Sequence, residues 1–140
     1  MADTFSEIAC GELSILTGDH GFHVAAEDQQ HVRLESEVVA VEVWHDPRGE
    51  VAVSVCRLDR TDPYAEWTYT GMVGSASVAR VLEIGIEQMT SDPAILTGEP
   101  GFYDQLAAEN RRLSEVWTAY YSGKGPRPTA SSRSSSADIR

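Results

Sequence analysis

Valine recurs at every second position through two runs, Val39-Val41-Val43 and Val51-Val53-Val55, separated by Asp46-Pro-Arg-Gly-Glu50. Strict alternation is the pattern of a half-buried strand, and the segment between the runs has the chemistry of a tight turn. With Pro47, Arg48 and Gly49 as a three-residue loop, Pro47 supplies the fixed φ of a type I turn and Gly49 the left-handed position after it. Val43 then faces Val53, Val41 faces Val55, and Asp46 faces Glu50. A loop one residue longer or shorter would scatter the valines over both faces of the sheet, so the turn and the core select one register.

The pattern on either side of this hairpin predicts the rest of the fold. Residues 4–17 read as an amphipathic helix, opened by a Thr4/Glu7 capping box and stopped at Gly18. Phe22, Val24 and Ala26 alternate as a first strand, and His31 to Leu34 form a second, paired so that Val24 faces Leu34 and Ala26 faces Val32. Ser36-Glu37 marks either a bend between strands or the middle of one long bent strand, because the Gly or Asn of a two-residue hairpin is missing. Tyr64 to Thr70 is a fifth strand or a helical turn. Ser75 is the expected cap of a helix running to about Met89, Asp92-Pro93 starts a short helical turn, and a third helix runs from near Gly101 to Gly123. The expected class is α+β: an antiparallel four- to five-stranded meander with an N-terminal helix and two C-terminal helices packed on one face. Residues 1–123 form the single domain, and the Ser-, Pro- and Arg-rich tail at 124–140 is expected to be disordered.

Charge sharpens the functional side of this reading. The chain has 22 acidic and 11 basic residues among 140, and residues 1–121 hold 21 of the acids and 7 of the bases, a net charge of −14. A domain so acidic repels nucleic acid and anionic lipid and attracts cationic protein surfaces; simple solubility is the other use of surplus carboxylates. No apolar run approaches the length of a membrane span. Cys10 and Cys56, without CxxC spacing, read as reduced thiols of a cytoplasmic protein.

The candidate chemistry is sparse. His20-Gly-Phe-His23 has too few ligands for zinc, so no metal or cofactor is expected. Gly71 to Ser77 opens a helix but lacks the Lys-Ser/Thr of a phosphate loop. Cys56 shares with His31 and Glu42 the mixed polar and apolar face of the sheet, together with His23, Arg33, Trp44 and Ser54. An enzyme built there is one alternative, although neither an oxyanion hole nor a nucleophile elbow is legible. The favoured surface is a protein-binding one formed by Trp44, Glu42, Arg33 and His31 on the mixed face with Tyr64 and Trp67 from the following loop, large aromatics among acids being what a basic partner would find. Trp67 and Tyr69 have a second reading, as core residues at the sheet edge.

The order of helix, Gly21-Phe22, the strands of VRLESEVVAVEVWHDPRGEVAVSVCRL (32–58), Pro-Ala-Ile-Leu-Thr-Gly (93–98) and Phe102-Tyr-Asp-Gln-Leu106 resembles a group of small bacterial α+β proteins. Some of these are similar to immunity proteins of polymorphic-toxin systems. The resemblance spans roughly residues 4–121, rests on core positions and carries over no functional residue. It implies a stoichiometric inhibitor without an active site, whose acidic surface occludes a cationic toxin. A secretion chaperone or adaptor that forms a homodimer through its sheet or a helix is the other binding alternative.

Overall fold

The computed structural model describes residues 4–73 and 77–127, so the predicted cap Ser75 and the tail from residue 128 lie outside the described residues. The elements run α1 (Phe5–Glu12), α2 (Ser14–Asp19), β1 (His23–Glu27), β2 (His31–Glu35), β3 (Val39–His45), β4 (Glu50–Arg57), β5 (Glu66–Met72), α3 (Val78–Ser91), α4 (Pro93–Thr97) and α5 (Pro100–Tyr121). The five strands form one antiparallel sheet in sequence order, β1-β2-β3-β4-β5. The α+β meander is therefore the fold, with Glu66–Met72 as its fifth strand.

The central hairpin has the expected register. Val43 pairs with Val53 and Val41 with Val55, the Asp46 N–H donates to the Glu50 carbonyl at 2.8 Å, and the Gly49 N–H donates to the Asp46 carbonyl at 2.8 Å. Gly49 has φ of 104°, a conformation that residues with a Cβ rarely adopt. At the β2–β3 turn the missing Gly is replaced by a side chain: the Ser36 hydroxyl accepts from the N–H groups of Val38 and Val39, both at 3.1 Å. That settles the ambiguity in favour of two strands.

Alternation delivers one apolar face. Val32, Leu34, Val39, Val41, Val43, Val51, Val53, Val55, Trp67 and Tyr69 are all buried and join residues of every helix in a single core. The helices lie on this side. Gly85 brings α3 so close to the sheet that a Cβ there would sit 3.1 Å from the Tyr69 ring and 3.2 Å from Val53. Phe5 of α1 meets His45 with ring centroids 5.2 Å apart, and Arg57 donates to the Gly98 carbonyl beyond α4. Tyr103 of α5 is buried and donates its hydroxyl to the Ile95 carbonyl at 2.6 Å; desolvation pushes its pKa well above the ordinary phenol value.

Three expectations need correction. The N-terminal helix is two: it breaks at the buried Leu13, whose backbone leaves the helical region (φ −84°, ψ 2°), so that this residue anchors both pieces. The cap of α3 is Ser77, whose side chain accepts from the Arg80 N–H at 3.1 Å. In β1, Val24 faces Leu34 as predicted, but a bulge follows and Ala26 faces Arg33 while Glu27 faces Val32. The extra residue turns Glu27 to the helix side of the sheet, where the Ser6 hydroxyl of α1 donates to it. Val24 stays 45 % exposed because β1 lies at the uncovered edge of the sheet.

Candidate functional site

The second sheet face consists of His23 and Ala26 on β1, His31, Arg33 and Glu35 on β2, Ala40, Glu42 and Trp44 on β3, Ala52, Ser54 and Cys56 on β4, and Glu66, Thr68, Thr70 and Met72 on β5. The described helices leave it open. Trp44 is 47 % and Met72 54 % exposed, whereas the small residues between the strands, Ala40 and Ser54, are hidden by their taller neighbours.

The β2–β3 register builds a network here. His31 pairs with Trp44 and Arg33 with Glu42. The imidazole stacks on the indole, centroids 3.7 Å apart and planes 20° from parallel. Glu42 sits diagonally from His31 and takes a donor on each oxygen, His31 Nε2 at 2.7 Å and Arg33 Nη1 at 3.2 Å. Arg33 Nε donates to Glu35 at 2.7 Å. The bond to Glu35, and then the charge of Glu42, hold the Arg33 guanidinium above its ordinary pKa. The chain of contacts from Glu35 through Arg33, Glu42 and His31 to Trp44 leaves the indole held flat with one face turned to solvent.

Four of the six residues expected to bind a partner therefore come together: Trp44, Glu42, Arg33 and His31. The other two do not join them. Trp67 points to the opposite side of the sheet and is 5 % exposed, because β5 is in register with β4 and places Trp67 against Val55 in the core. Tyr64 packs under Arg111 of α5, 5.1 Å from guanidinium carbon to ring centroid, and its hydroxyl lies 3.4 Å from the Ser114 hydroxyl. The sequence reading missed Ala52, Thr68, Thr70 and Met72. Their signal was strand alternation: with Val51 and Val53 inward on β4 and Trp67 and Tyr69 inward on β5, the even positions must face out.

The Cys56–His31 site considered from the sequence is not assembled, and His45 offers no second partner. Cys56 lies opposite Ala40, four residues along β3 from the Trp44–His31 row, which is about 13 Å at the rise of a strand. His45 faces the helix side, against Phe5. Burial pushes the Cys56 thiol up, away from thiolate character. His20 and His23 do not converge with further ligands: among the described residues no group of three or more His, Cys, Asp or Glu side chains is placed to hold a metal ion. No helix among the described residues is long and apolar enough to cross a membrane.

The electrostatics of the open face differ from a simple acidic patch. Glu42 and Glu35 are held by His31 and Arg33, and Glu66 lies 3.3 Å from Arg60. The face is thus close to neutral and internally paired, and the acidic surplus of the chain lies outside this network. Comparison of the chain with protein-family models, with characterised proteins and with solved structures finds no match, so a functional reading has to stand on this geometry.

Proposed function

We propose that this chain is a non-catalytic protein-binding domain that docks a basic partner on its open sheet face, acting as an immunity-type inhibitor of a cationic protein in the cytoplasm. The observation that carries the reading is Trp44, a half-exposed indole on the open face near the hairpin end of β3, already fixed by the His31 stack. An aromatic anchor whose orientation is set before binding loses little side-chain entropy on complex formation. A net charge of −11 supplies attraction at a distance, while the paired charges beneath the indole leave a face that a partner can cover without stranding an unpartnered carboxylate. Free thiols at Cys10 and Cys56 agree with a reducing compartment.

The test is affinity capture from the native host with the full chain and with Ala52→Arg, run side by side at low and moderate salt. Ala52 lies opposite both Trp44 and Thr70, so a long cation there covers the face from outside the core. Support is a basic protein retained by the native chain, released by salt and lost by Ala52→Arg with unchanged thermal unfolding. Equal retention by the two chains, or no specific partner for the native one, would overturn the proposal.

A further inference from the structure

The helix α5 is longer than the fold needs. Its 22 residues extend about 33 Å at the helical rise, yet its buried residues are Tyr103, Leu106 and Ala107, all in the first eight positions. Beyond them, Asn110 donates to the carbonyls of Tyr64 and Glu66, and Arg111 bridges to Asp62, fixing one side of the helix along the β5 edge. On the adjacent side Leu113, Val116, Trp117 and Tyr120 continue at helical spacing, half-buried and outside the hydrophobic core. Trp117, Tyr120 and Tyr121 pack on one another with centroids 5.3–5.8 Å apart, and Tyr121 is 78 % exposed. The helix ends in a Schellman turn, Lys124 N–H to the Ala119 carbonyl and Gly123 N–H to the Tyr120 carbonyl, which holds Lys124 close to the stripe.

Charge says what fits this stripe. Each arginine from Arg33 to Arg80, and Arg111, is ion-paired within the molecule; among the described residues the Arg and Lys side chains without an ion pair are Arg112, Lys124 and Arg127, all on or just after the second half of α5. The first part of the helix segment carries Glu99, Asp104 and Glu109, the last also accepting from Gln105 Nε2, and no base, while the second half carries Arg111 and Arg112 with one acid, Glu115, before Lys124 and Arg127. This element is therefore polarised, acidic at its start and basic at its end, in a chain whose overall charge of −11 makes other approaches between copies repulsive. Two such helices side by side in the same direction would set acid against acid; in opposite directions they set acid against base.

We propose that the second half of α5 is the contact surface of a homodimer, lying antiparallel on the same segment of a second copy with the two-fold axis between Val116 and Trp117. In that register Val116 meets Trp117 of the second copy, Leu113 meets its Tyr120, and Glu109 meets its Lys124 at each end. Every apolar residue of the stripe then faces an apolar one and the flanks are complementary. The open sheet face stays free, because α5 lies on the other side of the sheet. The contact runs from Glu109 to Lys124 in each copy, with about 20 Å of helix between Glu109 and Tyr121, which places the dimer at the small, micromolar end of specific interfaces.

Sedimentation equilibrium of the full chain from about 1 to about 200 μM tests it, because a dimer of this strength forms within that span by mass action. The expected result is a monomer–dimer equilibrium abolished by Leu113→Glu, with the circular dichroism spectrum unchanged. Glu109→Lys and Lys124→Glu should each weaken dimerisation about tenfold, on the scale measured for close charge pairs across interfaces, and the double swap should restore it. A monomer throughout, or a dimer indifferent to Leu113→Glu, would overturn the surface. Single swaps that weaken the dimer without rescue in the double would overturn the antiparallel register. The charge variants lie at exposed or half-exposed positions, so the cycle remains readable even where Leu113→Glu fails to fold.

Discussion

Trp44→Ala separates the fold from its proposed use. A tryptophan side chain can bury up to about 250 Å², so with 47 % exposure roughly 130 Å² is already hidden in the free domain and roughly 120 Å² remains for a partner. At about 25 cal/mol per Å² each share is worth about 3 kcal/mol at most. The stability share is the smaller in practice, because the unfolded chain hides part of the same surface and alanine keeps some of the contact, leaving a loss of about 1–2 kcal/mol. The binding share carries no such discount. It is expected to appear as a loss of about 2–3 kcal/mol, a factor of roughly 30 to 150 in Kd. Urea unfolding followed by far-UV circular dichroism measures the first, and calorimetric titration with the captured partner the second. A stability loss of about 4 kcal/mol or more, in the range of aromatic truncations in cores, would show that Trp44 is a pillar of the fold and not an anchor. A variant that binds as tightly as the native domain would remove the open face from the functional account.

Other substitutions probe the packing behind that face. Gly85→Ala gains about 1 kcal/mol of helix propensity, but its Cβ at 3.1 Å from the Tyr69 ring and 3.2 Å from Val53 meets two fully buried side chains that cannot yield; a net loss of about 1 kcal/mol in urea unfolding is expected, and stabilisation would show slack between α3 and the sheet. A Cβ at Gly49 would lie 3.8 Å from Met72 Cε, an ordinary contact without a clash, so the cost of Gly49→Ala, about 1–2 kcal/mol, is conformational, and an unchanged midpoint would mean the hairpin turn relaxes. Tyr103→Phe strands the Ile95 carbonyl and should cost about 1–3 kcal/mol. The thiols respond to pH in a definite direction: burial raises both, and the neighbouring Glu27 raises Cys10 further, so at pH 8 each holds less thiolate than an ordinary cysteine and reacts more slowly with a disulfide reagent. Glu27→Gln should speed Cys10, read by mass spectrometry, and leave Cys56 unchanged.

The β3–β4 hairpin was legible to the residue because two independent constraints, the Pro47-Arg48-Gly49 turn and the valine alternation, admit one register between them. Where a single constraint acted alone, the reading was looser. Tyr64 to Thr70 shows strand alternation, but the loop Asp59 to Pro63 before it fixes no register, and only its pairing with β4 decides that Trp67 is core and Thr68, Thr70 and Met72 are surface. The break at Leu13 has no helix-stopping residue of its own; Leu13 and Leu16 are both fully buried and three residues apart, a spacing that one continuous helix satisfies as well, so the apolar period runs through the break unmarked. The bulge in β1 is similarly silent, since Ala25 and Ala26 fit either face of a strand and the contact that selects the turned form, Ser6 with Glu27, joins residues 21 apart in the chain.

Electrostatics marks the deeper limit of pattern reading. Net charge is a sum over residues and survives without coordinates, but pairing depends on register. Glu42 lies beside both His31 and Arg33 because β2 and β3 align His31 with Trp44; a slip of one residue would turn His31 into the core and leave Glu42 to solvent. That same register places the imidazole on the indole, so the anchor and the neutrality of the ground around it have one cause. A charge change made to test the long-range attraction therefore belongs away from this network, at acids outside it such as Glu12 or Glu87. A substitution of Glu42 would alter the total charge and loosen the His31 ring under Trp44 at once, and the two effects on partner binding could not be told apart.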